Sequence, residues 1–259
     1  EKEIVHIHQV VTRLPELRFA EPVEWRICEG EQWAVVGPNG AGKTLLADIL
    51  QRKFAFREGE VCYNKEGKVS DIIRSIAFKD IYSLADCRNS YYQQRWHATE
   101  SDDVPTVAET LSAYEGTENL KEVLHIFGIE DLLPKKLIYL SSGELRKFLI
   151  VRTLLSRPEI LILDNPFIGL DAPSRDLLVD MLGQLSHLHG VQVILLLSNP
   201  ADIPDMITHV LPIAGKKCYP PMSREAFLAD TALIQVLFPE ENWIQTVLPV
   251  DPNKQPATH

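Results

Sequence analysis

The sequence predicts an α/β fold: a parallel sheet core with antiparallel strands at its N-terminal end and a helical subdomain. Three observations carry this. Two short apolar runs, 160–163 and 191–197, are separated by a helical stretch over about 173–189, and strand–helix–strand units of this kind make parallel neighbours. An apolar strand over 32–36 runs straight into a Gly-rich turn followed by helical spacing over 43–53. Finally, 259 residues with 45% hydrophobic and 24% charged side chains are enough chain, with ordinary composition, for a large core.

The elements follow in order. Residues 4–10 alternate apolar and polar, and 22–27 reads as a second short strand; together they give the antiparallel start. Residues 59–63 and 72–78 read as further strands. The stretch 80–104 is polar and aromatic, with Asn89-Ser90-Tyr91-Tyr92-Gln93-Gln94 at its centre, and reads as a long functional loop. Helices are expected over 106–114, 120–127 and 144–155. The tail from 220 holds six of the seventeen prolines; it reads as one or two small helices and then a loose linker. The expected limits are a main domain over 1–219, its helical part at about 81–155, and a tail over 220–259.

Composition excludes several classes. Lys plus Arg is 26 against 36 for Asp plus Glu, a net charge of −10, whereas nucleic-acid backbones demand a basic face. Cys28, Cys62, Cys87 and Cys218 lie far apart without a CxxC pair, which argues against a zinc site of cysteines or a disulfide framework and for a reducing compartment. His6 and His8 share a strand face, but no third ligand stands nearby in sequence, so a metal site is not expected there. The longest apolar run, 193–197, suits a buried strand, not a membrane span. The first residues carry no apolar signal segment, and the absence of an initial Met suggests a trimmed start.

Gly37-Pro38-Asn39-Gly40-Ala41-Gly42-Lys43-Thr44 fits G-x-x-x-x-G-K-[ST], the phosphate loop. The glycines let the backbone curl so that its N–H groups face a phosphate, and the helix that follows, through Leu45, adds its positive N-terminal end. Lys43 is expected to reach the β- and γ-phosphates and Thr44 to bind Mg²⁺. The run 160–163 ends in Asp164, where a phosphate-loop protein keeps its Mg²⁺-organising acid; an acid capping a strand end is the plainer alternative. Between the two motifs, Leu140-Ser141-Ser142-Gly143-Glu144-Leu145-Arg146-Lys147 opens a helix. It offers an anion site, or simply an N-cap with Ser142 capping and Glu144 in the first turn.

In this order, the three motifs resemble the ATP-binding cassette (ABC) ATPases over about residues 4–215. The signature stretch and Pro166-Phe167-Ile168-Gly169-Leu170-Asp171 are most similar to the first cassette of the ModF-type proteins, which carry two cassettes in one chain and are associated with molybdate transport. The resemblance implies a RecA-like phosphate-loop core with a helical subdomain. It implies ATP and Mg²⁺ as ligands, and a head-to-tail pair of cassettes sandwiching two ATP molecules. Ser141, Ser142, Gly143 and Glu144 would then meet a nucleotide held by the partner cassette, which is a second copy or the second half of a tandem chain. A membrane permease is a further partner on this reading, with a cytoplasmic placement that includes the inner face of the membrane. No nucleic-acid partner is expected.

The departures from the family pattern matter as much. The family has Glu after the strand-ending Asp; here Asn165 stands there. A neutral amide can orient water but cannot accept its proton. The family has His after the last core strand; here Asn199 takes that place. Ser142 stands for the family's usual Gly, and Glu144 for a frequent Gln. The Gln-loop position falls at Lys79 on one count and at Gln93 or Gln94 on another; Gln94 is favoured, with a catalytic and Mg²⁺-binding role. No adenine-stacking aromatic stands near Arg13 and Leu14; Phe19 is the nearest, with core packing its simpler role, and Trp25 and Trp33 also read as core. Two amides in one composite site point to slow turnover. The expected function is therefore ATP hydrolysis coupled to ABC-type transport, with a soluble switch cassette of a tandem protein as the alternative.

Overall fold

A computed structural model describes residues 2–78, 105–116 and 118–239. Among the described residues, ten strands form two sheets. The smaller is antiparallel, in the order β2 (Val23–Cys28), β1 (Glu3–Thr12), β4 (Phe56–Tyr63). The larger runs β10 (Met222–Ser223), β8 (His209–Ala214), β3 (Trp33–Val36), β7 (Gln192–Leu197), β6 (Ile160–Asp164), β5 (Ile73–Ala77), with β9 (Lys217–Cys218) also on β8. From β8 to β5 every pair is parallel.

The continuous apolar runs follow from burial on both faces. Successive side chains alternate between two cores. Ala34, Val36, Leu161, Leu163, Leu195 and Leu197 face one, which the helical side fills with Phe127, Phe148 and Leu182. Trp33, Val35, Ile160, Ile162, Ile194 and Leu196 face the other, shared with Val5, Ile7 and Ile27 of the small sheet and Leu46 of the helix after the turn. Trp25 and Trp33 are buried there edge to face, 5.3 Å apart.

The helices are α1 (Lys43–Leu50), α2 (Val69–Ile72), α3 (Val107–Leu111), α4 (Glu118–Phe127), α5 (Ser142–Leu154), α6 (Ala172–His189), α7 (Arg224–Ala229) and α8 (Thr231–Leu237). The predicted strand over 72–78 is shortened because α2 takes Ile72. Strand β8 has no counterpart in the sequence reading. Pro212 lies inside it, and proline marks an edge or a non-strand; its far side is covered only by the two-residue β9 and β10. Residues 222–238, read as the start of a tail, join the cassette: β10 pairs with β8, and Phe227, Ile234, Leu237 and Phe238 enter the core. The expected linker over 240–259 lies outside the described residues.

Candidate nucleotide site

The register aligns Val36 of β3 with Leu197 of β7, and Asp164 of β6 with Leu196 of β7. The carboxyl ends of three strands thus meet, the place where α/β sheets bind ligands. The chain leaves β3 at Gly37, where an added Cβ would stand 1.9 Å from the Ile213 carbonyl oxygen. Only glycine fits this approach to β8. Gly42 takes φ 108 as the residue before α1, a conformation that favours glycine. The first N–H groups of α1, at Lys43, Thr44 and Leu45, have no acceptor within the helix, and they open beside the curled backbone of Pro38, Asn39, Gly40 and Ala41. The loop is pinned from outside: Lys216 N–H donates to the Ala41 carbonyl at 2.8 Å, and the Ser198 hydroxyl to Asn39 Oδ1 at 2.8 Å.

Lys43 is 6% exposed, and its ammonium donates to the Gly37 and Pro38 carbonyls at 2.7 and 2.9 Å. Burial pushes its pKa down to about 8, against the opposing pull of Asp164. Its hydrogen-bond partners are the neutral carbonyls of its own loop. An entering phosphate supplies the full anionic partner that it lacks.

Asp164 is buried at the end of β6. Its Oδ2 accepts the Thr44 hydroxyl at 2.7 Å and its Oδ1 accepts the Asn165 amide at 3.0 Å. A hydroxyl and a carboxylate side by side are hard oxygen donors, the set that suits Mg²⁺. A cavity of about 220 Å³ opens beside them, lined also by Asp48, Gln51, Ser75 and Ala77.

Asn165 has φ 53, left-handed backbone in which Asn is enriched. Ser198, a site residue that sequence reasoning missed, reaches Asn165 Oδ1 at 3.3 Å. Nothing local signals Ser198; its place follows from the pairing of β7 with both β6 and β3. Asn199 Oδ1 accepts the Ala201 N–H at 2.7 Å and caps the short turn Pro200–Asp202. Its oxygen is thus occupied, and its NH₂ group is what it can offer a phosphate. Gln94, with Lys79 and Gln93, lies outside the described residues. Phe19 packs on the second core, and its ring reaches 3.4 Å from the place a Cβ on Gly42 would take, so it lies against the phosphate loop as well.

The signature stretch starts α5. Ser141, not Ser142, is the cap: its hydroxyl accepts the Glu144 N–H at 3.2 Å, and Glu144 accepts the Ser141 N–H at 2.8 Å. This is the reciprocal capping box of S-x-x-E. Lys135 also donates to Glu144 at 2.9 Å. Its hydrogen bond, with that from the Ser141 N–H, holds the Glu144 carboxyl below the usual range. Ser142 and Gly143 follow in the first turn, with open space around Gly143. Two residues after the box, Arg146 is 2% exposed; it donates to the Pro166 and Ile168 carbonyls at 2.6 and 2.8 Å and lies over the Phe78 ring at 5.1 Å. It ties the signature helix to the turn after Asn165. Asp171 then caps α6 by accepting the Ser174 N–H. The cavity of about 210 Å³ at the signature is lined by Ser141, Gly143, Glu144 and α6 side chains, and shares no residue with the one at Thr44.

Comparison with known proteins agrees with this fold. The family model described as ABC transporter matches residues 20–168. An uncharacterized ABC transporter ATP-binding protein of Schizosaccharomyces pombe is 30% identical over 81% of this chain and 45% of its own. The ABC transporter ATP-binding protein ModF of Escherichia coli is 29% identical over 98% of this chain and 51% of its own. The chain thus spans about half the length of these relatives. Among solved structures, cbiO1 from Clostridium perfringens, part of the ABC transporter complex cbiONQ, superposes with a TM-score of 0.73 at 17% identity, covering 92% of this chain and 97% of that one. The ADP conformation of another ATP-binding cassette of an ABC transporter gives 0.70 at 16% identity, covering 93% and 100%. At such identities these structures speak for the fold alone. With more than half its length matched by the family model, this chain belongs to the ABC transporter family of P-loop ATPases.

Proposed function

We propose that this chain is one cassette of a paired ABC ATPase, one that holds MgATP firmly and turns it over slowly on its own. The carrying observation is the neutral Asn165 amide standing next to Lys43, Thr44 and Asp164, the groups suited to phosphate and metal. Mg²⁺, when bound, neutralises charge developing on the β- and γ-phosphate oxygens. Thr44 and Asp164 would hold it; Gln94, the further expected ligand, lies outside the described residues. Lys43 and the N–H groups that open α1, from Lys43 to Leu45, bind and orient the phosphates. Asn165 can hold a water by hydrogen bonds, but it offers no site for the proton that attack releases. Asn199 can donate to the γ-phosphate without titrating.

The partner is a second cassette, whose signature completes this site as Ser141, Ser142 and Gly143 complete the partner's. The half-length match to ModF favours the second half of a tandem chain over a second copy. The nucleotide-binding cassette runs through 238 on this reading, since 222–238 closes its core. Coupling to a membrane permease at the cytoplasmic face rests on relatives named as zinc import ATP-binding proteins. Among the described residues no helix is long and apolar enough to cross a membrane. A soluble switch cassette is the second reading, favoured by the same two amides.

The test is the steady-state ATPase rate of the chain against its own concentration, with Lys43→Ala as blank and MgATP binding measured in parallel. The expected result is saturable, Lys43-dependent binding with a rate near the blank. A Lys43-dependent rate that climbs faster than linearly with concentration contradicts slow turnover and shows self-pairing.

A further inference from the structure

The outward face of the antiparallel sheet carries a cluster that the nucleotide site does not use. His6 and His8, set aside in sequence for want of a third ligand, share a face of β1 while Val5 and Ile7 point into the core. The antiparallel neighbour β2 supplies the missing donor, Glu24, whose distance in sequence hid it. One of its oxygens lies 2.5 Å from His6 Nε2 and the other 3.3 Å from His8 Nδ1. The two imidazole rings are 5.3 Å apart, and one donor atom from each of the three residues falls within 4.8 Å of the others. On the other flank, the β4 register sets Cys62 opposite His6 and Glu60 opposite His8.

The supports around the cluster resemble those of a ligand site. Gln9, at a bulge with φ 47, donates both its backbone N–H and its side-chain amide to Glu24, at 3.1 and 3.0 Å. The Glu3 carboxylate lies 3.8 Å from His6 Nδ1, and metal-ligating histidines usually present their other nitrogen to such a group. The Arg26 guanidinium faces the same donors, 3.3 Å from His6 Nε2 and 3.9 Å from Glu24. Its side chain is 64% exposed, so it can turn into water when another cation takes its place.

We propose that His6, His8 and Glu24 bind a divalent transition-metal ion of the zinc class, clipping β1 to β2. Two imidazoles and one carboxylate suit Zn²⁺ and its neighbours rather than Mg²⁺ or Ca²⁺. Three protein ligands on a partly open face leave a position for water.

The test uses the untagged chain in excess Mg²⁺, which fills the hard-oxygen site at Thr44. Zn²⁺ is titrated in competition with a chromogenic chelator, and melting temperature is followed with and without Zn²⁺. The expected result is one equivalent bound, with a rise in melting temperature. His6→Ala, His8→Ala and Glu24→Gln should each weaken binding by about tenfold or more, at least what loss of an outer-shell partner costs. The metal-free melting curve of each variant reports its folding, and Glu24→Gln keeps an acceptor for Gln9 if an alanine variant unfolds. Retention of the equivalent in the His6→Ala/His8→Ala double variant, or no Zn²⁺ binding by folded wild-type chain, overturns the proposal.

Discussion

At the ends of β3 and β6, the groups proposed to meet phosphate and metal are charged and tied down. Lys43 is folded into its own loop, and both oxygens of Asp164 are engaged. Next to them, at the end of β7 and just past Asp164, stand two amides and a hydroxyl: Asn165, Ser198 and Asn199. These are equally ordered, since Ser198 reaches both Asn39 and Asn165 and Asn199 caps a turn. The second region is neutral but hydrogen-bonded in place. On the proposed reading, holding nucleotide and activating water are separable properties of one pocket.

The sharpest way to break this comparison is to restore the missing charge. Asn165→Glu supplies a general base, an effect of about 10²–10⁴-fold where a base is positioned, and the turnover of the variant with a competent partner should rise on that scale. Glu is less at ease than Asn at φ 53, so a loss of about 1 kcal/mol in stability should accompany the gain. An unchanged rate places the defect elsewhere in the site.

Arg146 joins the two halves of the comparison, because it hangs from the signature helix and holds the turn beyond Asn165. Arg146→Met leaves the Pro166 and Ile168 carbonyls without this donor. The expected cost is about 1–3 kcal/mol, read from denaturant melts, the range for one buried group left unpaired, since Ile168 is partly exposed and water can replace the donor at its carbonyl.

The phosphate-holding edge has a pH signature. Lys43 titrates at about 8 in the free protein because it is buried, and phosphate binds its charged form. MgATP affinity should be flat below that value and fall as pH rises through it, by at most about tenfold per pH unit. Lys43→Ala should bind about 10–100-fold more weakly, at roughly 1.5–3 kcal/mol for a charged hydrogen bond, and without this fall. The stability of the free chain moves the other way. A lysine whose pKa is lowered from 10.5 to about 8 leaves the unfolded state binding more protons between those values, so stability rises with pH across that window.

The smallest effect belongs to the signature. Ser141→Ala removes the cap and half of the capping box, for about 1 kcal/mol. Ser142→Ala, outside the box, should leave stability nearly unchanged. A larger loss at Ser142 would reverse the assignment of the cap.

What the sequence made legible was whatever is local. Gly37 to Thr44 carries its chemistry in eight consecutive residues, and Asp164 ends an unmistakable buried strand. The helix cap is legible in the sequence but falls at Ser141 rather than at the expected Ser142. Features that depend on register were not legible: Ser198 gains its role from β7 lying between β3 and β6, and Glu24 meets His6 from eighteen residues away across two strands. Strand β8 was hidden by Pro212, although that strand is what forces glycine at position 37.

The central claim is that the bound nucleotide stays intact. Radiolabelled ATP, mixed with Mg²⁺ and excess protein and then filtered, reports this directly through the ratio of ATP to ADP on the protein over time. The account predicts that bound nucleotide remains ATP, with ADP forming no faster than in the Lys43→Ala blank. Conversion of the bound ATP to ADP well ahead of that blank would contradict it, and would mean that this pocket finds its base without a glutamate at position 165.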